Sequence, residues 1–150
     1  MSHSYVSNIM HCVFSTKERT KWITPDLKKR LFSYMDGIAK TNKIPALEIG
    51  GVDNHVHLLL SVPSTITVAK ALQLIKGGSS KWIHDTFTEH KHFSWQEGYG
   101  AFSVSISQIQ ETIAYIKRQE EHHQRKSFKE EFVSFLIKHN IAYDERYVWG

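Results

Sequence analysis

Asn54-His55-Val56-His57-Leu58-Leu59-Leu60 sets two histidines around one valine and runs straight into apolar residues. The run is short and rich in leucine and β-branched residues. Turn-forming Gly50-Gly51-Val52-Asp53-Asn54 bounds it upstream, so it reads as a β-strand. Side chains alternate faces along a strand. His55, His57, Leu59 and Ser61 therefore share one face, and Val56, Leu58, Leu60 and Val62 share the other. The second set is a core face. The first brings two imidazoles side by side, with backbones roughly 6–7 Å apart. Imidazoles at that spacing can converge on one divalent cation. The competing reading is two surface histidines on an open sheet face.

Upstream, residues 4–15 alternate imperfectly and read as a strand, followed by a charged loop at Lys17-Glu18-Arg19-Thr20-Lys21. Thr24-Pro25-Asp26 opens a helix, with an N-cap, a proline at the first helical position and an acid in the first turn. Leu27, Leu31, Tyr34, Met35 and Ile38 form its packed stripe, and Thr41-Asn42-Lys43 ends it. Ile44 to Ile49 is a second strand, which should pair with the histidine strand as an antiparallel hairpin.

Downstream, Val68, Ala71, Leu72, Ile75, Trp82, Ile83 and Phe87 mark one helix that continues through Gly77-Gly78-Ser79-Ser80, because the apolar spacing resumes in phase. Close approach of a ligand or a partner backbone would explain glycines there. A turn at Gly98-Tyr99-Gly100 leads into a strand at Ala101–Ser105. Ser107 with Gln110, and Ser127 with Glu130, are capping-box pairs. The first starts a helix with an Ile109, Ile113, Ile116 stripe that runs to about Glu121. The second starts a helix packed through Phe128, Phe132, Phe135 and Leu136 and ending near Asn140. The tail carries Tyr143, Tyr147 and Trp149 and should pack on the domain or on a partner subunit.

The order strand, helix, strand, strand, helix, strand, then helices gives an α+β fold over residues 1–150. It is a ferredoxin-like, RRM-like split βαβ arrangement: an antiparallel sheet with helices on one face, plus C-terminal helices. The histidines should lie on the other, open face. A chain of 150 residues suits one domain. No apolar run of about 18 residues is present, so no membrane span is expected. Met1-Ser2-His3-Ser4 lacks the regions of a secretory leader, and the single Cys12 cannot pair within the chain; a reduced, cytoplasmic setting is expected. A net charge of +4 is compatible with a polyanionic partner. Of the ten histidines, His84, His90, His92, His122 and His123 lie in polar stretches, where solvated surface is the default.

On the wheel of the Ser107 helix, at about 100° per residue, Gln108, Glu111, Tyr115, Gln119 and His122 cluster within roughly 80°, well off the isoleucine stripe. Tyr115 and Gln119 are stacked neighbours. A tyrosine used for packing belongs on the stripe; the alternative here is an exposed tyrosine on a polar face.

His55-Val56-His57-Leu58-Leu59, followed after a helix and a strand by Tyr115-Ile116-Lys117-Arg118-Gln119, resembles the single-tyrosine HUH transposases of small bacterial insertion sequences, the TnpA type. In that family U is a bulky hydrophobic residue, here Val56, and the second signature is Y-x-x-x-Q on a helix. The likeness extends to Val13–Lys17, Lys76–Ser80, Trp95–Phe102 and Gln119–His123. It implies that His55 and His57 bind a divalent metal, Mg²⁺ or Mn²⁺, with Gln119 as third ligand, and that Tyr115 is the nucleophile. It implies action on single-stranded DNA with hairpin ends, through a 5′-phosphotyrosine link and a freed 3′-hydroxyl. It also implies a homodimer in which subunits can share active sites.

The chemistry suits these residues. A metal with few protein ligands keeps positions open for phosphate oxygens. Forming phenolate at pH 7 from a tyrosine of ordinary pKa costs roughly 4 kcal/mol, part of which the metal, Lys117 or a water must offset. The phosphotyrosine link conserves the phosphodiester, so a later hydroxyl can rejoin strands. Two imidazoles favour Mn²⁺ at least as much as Mg²⁺. Lys17, Arg19, Lys21, Lys76, Lys81, Lys117, Arg118, Arg125 and Lys126 are candidates for phosphate contacts. Trp82, Trp95 and Tyr99 are candidates for base stacking. Two alternatives stay open: a catalytically silent or domesticated protein that binds hairpin DNA or RNA without cutting it, and a metal-dependent hydrolase in which Tyr115 is incidental.

Overall fold

The computed structural model describes residues 3–150. Strands β1 (Ile9–Ser15), β2 (Ala46–Val52), β3 (His55–Ser61) and β4 (Gly100–Ser103) form one sheet in the order β2-β3-β1-β4. Every neighbouring pair is antiparallel, which is the split βαβ topology expected from the element order. Helices α1 (Pro25–Thr41) and α2 (Val68–Thr86) are the two crossovers. Helices α3 (Ile109–Lys117), α4 (Gln119–His122) and α5 (Phe128–Lys138) follow the last strand. None of the helices among the described residues is long and apolar enough to cross a membrane.

Local chemistry sets the helix ends. Thr24 accepts a hydrogen bond from the Leu27 amide, with Pro25 at the first helical position. Ser127 and Glu130 close a full capping box on α5. The pair at Ser107 does not: Ser107 lies inside a 3-10 turn, Ile106–Gln108, and its hydroxyl meets Ser105 instead. The backbone then leaves helical geometry at Arg118, so α3 and α4 are two helices where the sequence predicts one. The hairpin turn is also tighter than the glycines imply. Val52 pairs with His55, so Asp53-Asn54 alone makes the turn, and Gly50 and Gly51 belong to β2.

Strand parity holds along β1 and β3. Val56, Leu58 and Leu60, with Cys12 and Phe14 of β1, pack under α1 and α2 in an apolar core completed by Leu31, Met35, Leu72 and Ile75. Helix α2 is continuous through its two glycines. A Cβ on Gly78 would stand 2.9 Å from Ile38 Cδ1, so the close approach is to α1 rather than to a ligand. The opposite face is covered as well, and this corrects the open face expected from the strand order. Leu59 and Ile9 pack with Ile116 of α3, while Val13 packs with Phe102 and with Phe128, Phe132 and Leu136 of α5. His55 and His57 are consequently fully buried. Gly50 lets α3 come this close: a Cβ there would lie 2.7 Å from both Ile116 Cγ2 and the Ile116 carbonyl. The end of the tail docks, with Val148 and Trp149 against the α5 cluster and the Gly150 carbonyl accepting from the Gly98 amide and the Gln96 side chain, whereas Tyr143 and Tyr147, also expected to pack, are exposed.

Candidate active site and metal cluster

Between the sheet and the C-terminal helices lies a group of polar side chains that a core would not otherwise tolerate. His55 and His57 come up from β3, His123 follows α4, and Glu131 comes down from α5. One ligand atom from each of the four lies within 4.8 Å of the others. Glu131 Oε1 is 3.1 Å from His57 Nε2, 3.2 Å from His123 Nε2 and 3.4 Å from His55 Nε2. Gln119 Oε1 joins them, 3.3 Å from His55 Nε2 and 3.0 Å from His123 Nε2.

These separations fit a shared cation. Ligand bonds of about 2.1 Å place neighbouring donors roughly 3.0 Å apart at right angles and roughly 3.4 Å apart at tetrahedral angles. The cluster could hold a metal ion, and its imidazole and carboxylate chemistry suits a divalent one.

The electrostatics centre on one carboxylate in reach of three imidazoles. Burial pushes the Glu131 carboxyl upward, but hydrogen bonds from His123, His55 and His57 outweigh it and hold the group well below the usual carboxylate range. Burial lowers His55 to about 4 against the opposing pull of Glu131. Asn54 Oδ1 lies 2.8 Å from His55 Nδ1 and fixes the ring with Nε2 toward the cluster.

Tyr115 meets the same carboxylate. Its hydroxyl donates to Glu131 Oε2, while its ring lies tilted against His122 with centroids 4.4 Å apart. Burial first, then the Glu131 charge, pushes the phenol above its ordinary value, so it is held neutral. The Tyr115, Gln119, His55 and His57 side chains that the sequence singles out are thus brought together within one chain.

Two members of the cluster escape the sequence reading. His123 stands in a polar stretch, where solvent exposure is the default, yet its side chain is mostly buried. Glu131 carries a usable signal: it falls between Phe128, Phe132 and Phe135 on the packed stripe of α5, where an acid is out of place unless partnered.

The proposed phosphate contacts fare unevenly. The Lys76 ammonium is spent on the carbonyls of Gln96, Glu97 and Gly98 at 2.7, 3.0 and 2.9 Å. Lys81 pairs with Asp85 on the exposed side of α2, Arg19 donates to the Trp149 carbonyl, and Lys126 donates to Ser134. Lys17, Lys21, Lys117 and Arg118 are exposed. Lys21 and Lys28 line a groove of about 570 Å³ that also reaches Asn54 and His123. A smaller cleft of about 200 Å³ opens on the Tyr115 side, lined by His11, Glu111 and Lys138 among others. The larger cleft between α1 and α2, about 830 Å³, lies across the sheet from the cluster.

Residues 4–119 match the family described as Transposase IS200 like. The chain belongs to that family. The match ends at Gln119, so this IS200-like transposase draws His123 and Glu131 from beyond it. The chain is 25% identical over 126 residues to the transposase for insertion sequence element IS200 of Salmonella typhimurium, across 79% of this chain and 81% of that protein. The Salmonella typhi protein of the same name matches with the same figures. Among solved structures, a putative transposase from Deinococcus radiodurans superposes with a TM-score of 0.66 at 21% identity, over 79% of this chain and 95% of that one. A REP-associated tyrosine transposase bound to a REP hairpin superposes with a TM-score of 0.61 at 11% identity, over 82% of this chain and 73% of that one. At these identities the two structures speak to the fold.

Proposed function

We propose that this transposase cuts and rejoins single-stranded DNA carrying hairpin ends, with Tyr115 as nucleophile and a divalent cation held by His55, His57 and Gln119, joined by His123 and Glu131. The observation that carries this reading is the clustering of ligand atoms from His55, His57, His123 and Glu131 within 4.8 Å of one another, with Gln119 Oε1 beside two of them and the Tyr115 hydroxyl on the carboxylate. A cation bound there supplies Lewis acidity for the phosphate and offsets the Glu131 charge that keeps Tyr115 neutral.

Tyr115 Oη attacks phosphorus as its proton passes to Glu131 Oε2, the oxygen it already donates to, from which it can return to the departing oxygen. The new bond is a 5′-phosphotyrosine, the bond to the 3′-oxygen breaks, and that oxygen departs as a 3′-hydroxyl once protonated. Reversal by another 3′-hydroxyl rejoins strands. His55 is oriented by Asn54 and His57 by contacts within the sheet face, while packing on His122 and Phe135 fixes the Tyr115 ring. Exposed Lys117 and Arg118 adjoin the site and suit phosphate contacts. Three imidazoles make Mn²⁺ at least as effective as Mg²⁺. Because Tyr115 reaches the cluster of its own chain, one subunit suffices for the chemistry, even in a homodimer.

The test is a denaturing gel for a covalent protein–DNA adduct. Wild type and Tyr115→Phe are incubated with Mn²⁺ and single-stranded DNA from the flanks of the coding sequence. An adduct in wild type alone is expected. Cleavage by Tyr115→Phe would support a water-using hydrolase, and tight binding with neither cleavage nor adduct would support a silent hairpin binder. Mixing Tyr115→Phe with His55→Ala should restore no adduct; restoration would place the tyrosine in the partner's site.

A further inference from the structure

His11 has no part in the ligand set, yet it is the nearest polar neighbour of His57. It sits on β1, two residues before Val13, which pairs with His57 across the sheet, so both imidazoles rise from the same face. His11 Nε2 lies 2.7 Å from His57 Nδ1, and both side chains are buried. Their ring centroids are 5.0 Å apart, and Phe135 meets the His11 ring edge-on at the same centroid distance. Packing therefore holds His11 against His57.

Two proton arrangements satisfy a contact of this length. In one, His11 donates, and His57 carries its own proton on Nε2, facing Glu131. In the other, His57 donates through Nδ1–H, and its Nε2 lone pair faces the cluster. Only the second arrangement can ligate a cation. It requires His11 to be neutral with a bare Nε2. A neutral imidazole can serve either arrangement. It can hold His57 in one orientation with or without the cation, as a fixed donor or acceptor could not.

We propose that His11 is a positioning residue for His57: its Nε2 accepts the His57 Nδ1–H and so presents His57 Nε2 to the divalent cation. The inference rests on the metal reading above. Asn54 does the same for His55 from the other side, its Oδ1 accepting from His55 Nδ1–H.

Two measurements test it. The first is Mn²⁺ affinity, followed by the electron paramagnetic resonance signal of free Mn²⁺. His11→Phe fills the volume but can neither donate nor accept, and it should weaken Mn²⁺ binding by about 10- to 100-fold. His11→Gln keeps an acceptor and a donor and should recover most of that loss. A wild type that binds no Mn²⁺ overturns the metal reading and this inference together. A wild type that binds, with His11→Phe binding equally well, overturns this inference alone. The second is long-range ¹H–¹⁵N correlation of the imidazoles in wild-type protein loaded with diamagnetic Zn²⁺. His11 should show a bare Nε2 and a protonated Nδ1. A proton on His11 Nε2 overturns the inference whether or not the variants fold.

Discussion

One sheet has two faces of opposite character. Toward α1 and α2 it presents Val56, Leu58, Leu60, Cys12 and Phe14, and what packs on them is apolar almost throughout. Toward α3, α4 and α5 it presents His55, His57, His11 and Ser15, and what packs on them includes Gln119, His123, Glu131 and Tyr115. Burial is equally deep on both faces. The first face gains from burial directly, since apolar area leaves water. The second carries a cost that only mutual partnering offsets. A two-residue period thus separates an apolar core from a polar cluster with no extra domain: Val56, Leu58 and Leu60 of β3 face the one, His55 and His57 the other.

Acid should break the polar face first, and this is the largest effect expected. His55 and His11 are lowered to about 4 and about 3 from an ordinary 6.5. The folded state therefore binds fewer protons than the unfolded chain below pH 6.5. Stability is full above that value and falls as pH drops toward 4, by about 1.4 kcal/mol per pH unit for each imidazole. Glu131, held below its ordinary value, adds a loss of the same sign at still lower pH. Urea unfolding in EDTA at pH 7, 6 and 5 measures the slope. A flat profile would contradict the lowered His55 and His11.

Leu72→Ala sharpens the contrast from the other side. Leu72 is fully buried in the apolar core, so its truncation should cost about 2–5 kcal/mol. The urea curve should shift by the same amount at every pH, and Mn²⁺ affinity should stay at the wild-type value. A changed pH slope would mean that the two faces are coupled through the sheet.

The smallest effect is expected at α2. A Cβ on Gly77 meets nothing within 4 Å, whereas one on Gly78 meets Ile38 Cδ1 at 2.9 Å. Gly77→Ala should stabilise by about 0.5–1 kcal/mol, through helix propensity and a less flexible unfolded chain. Gly78→Ala should not, because α1 would have to yield. Thermal melts of the two variants decide it.

Much of this was legible in the residues. The parity of His55-Val56-His57-Leu58, the Thr24-Pro25-Asp26 helix start and the Ser127–Glu130 cap are local rules acting over a few residues, and each holds in the structure. The wheel position of Tyr115 and Gln119 is local too, and it survives the break at Arg118, because the two side chains still reach one cluster. Ser107 misled because a serine three residues before a glutamine marks a helix start only when the backbone is helical from the next residue, and here a 3-10 turn intervenes.

The sequence alone determined the strand, its two faces, the order of elements and the histidine, tyrosine and glutamine types that meet beside it. Each follows from periodicity or from short-range hydrogen bonding. Only the tertiary structure decided that α5 closes over the histidine face. The physical reason is that α5 packs through aromatic residues whose partners, Val13 and Phe102, lie more than twenty-five residues away. That single docking buries His55 and His57, brings Glu131 to the cluster, draws in His123 and sets His11 against Phe135. No spacing within the chain announces these meetings.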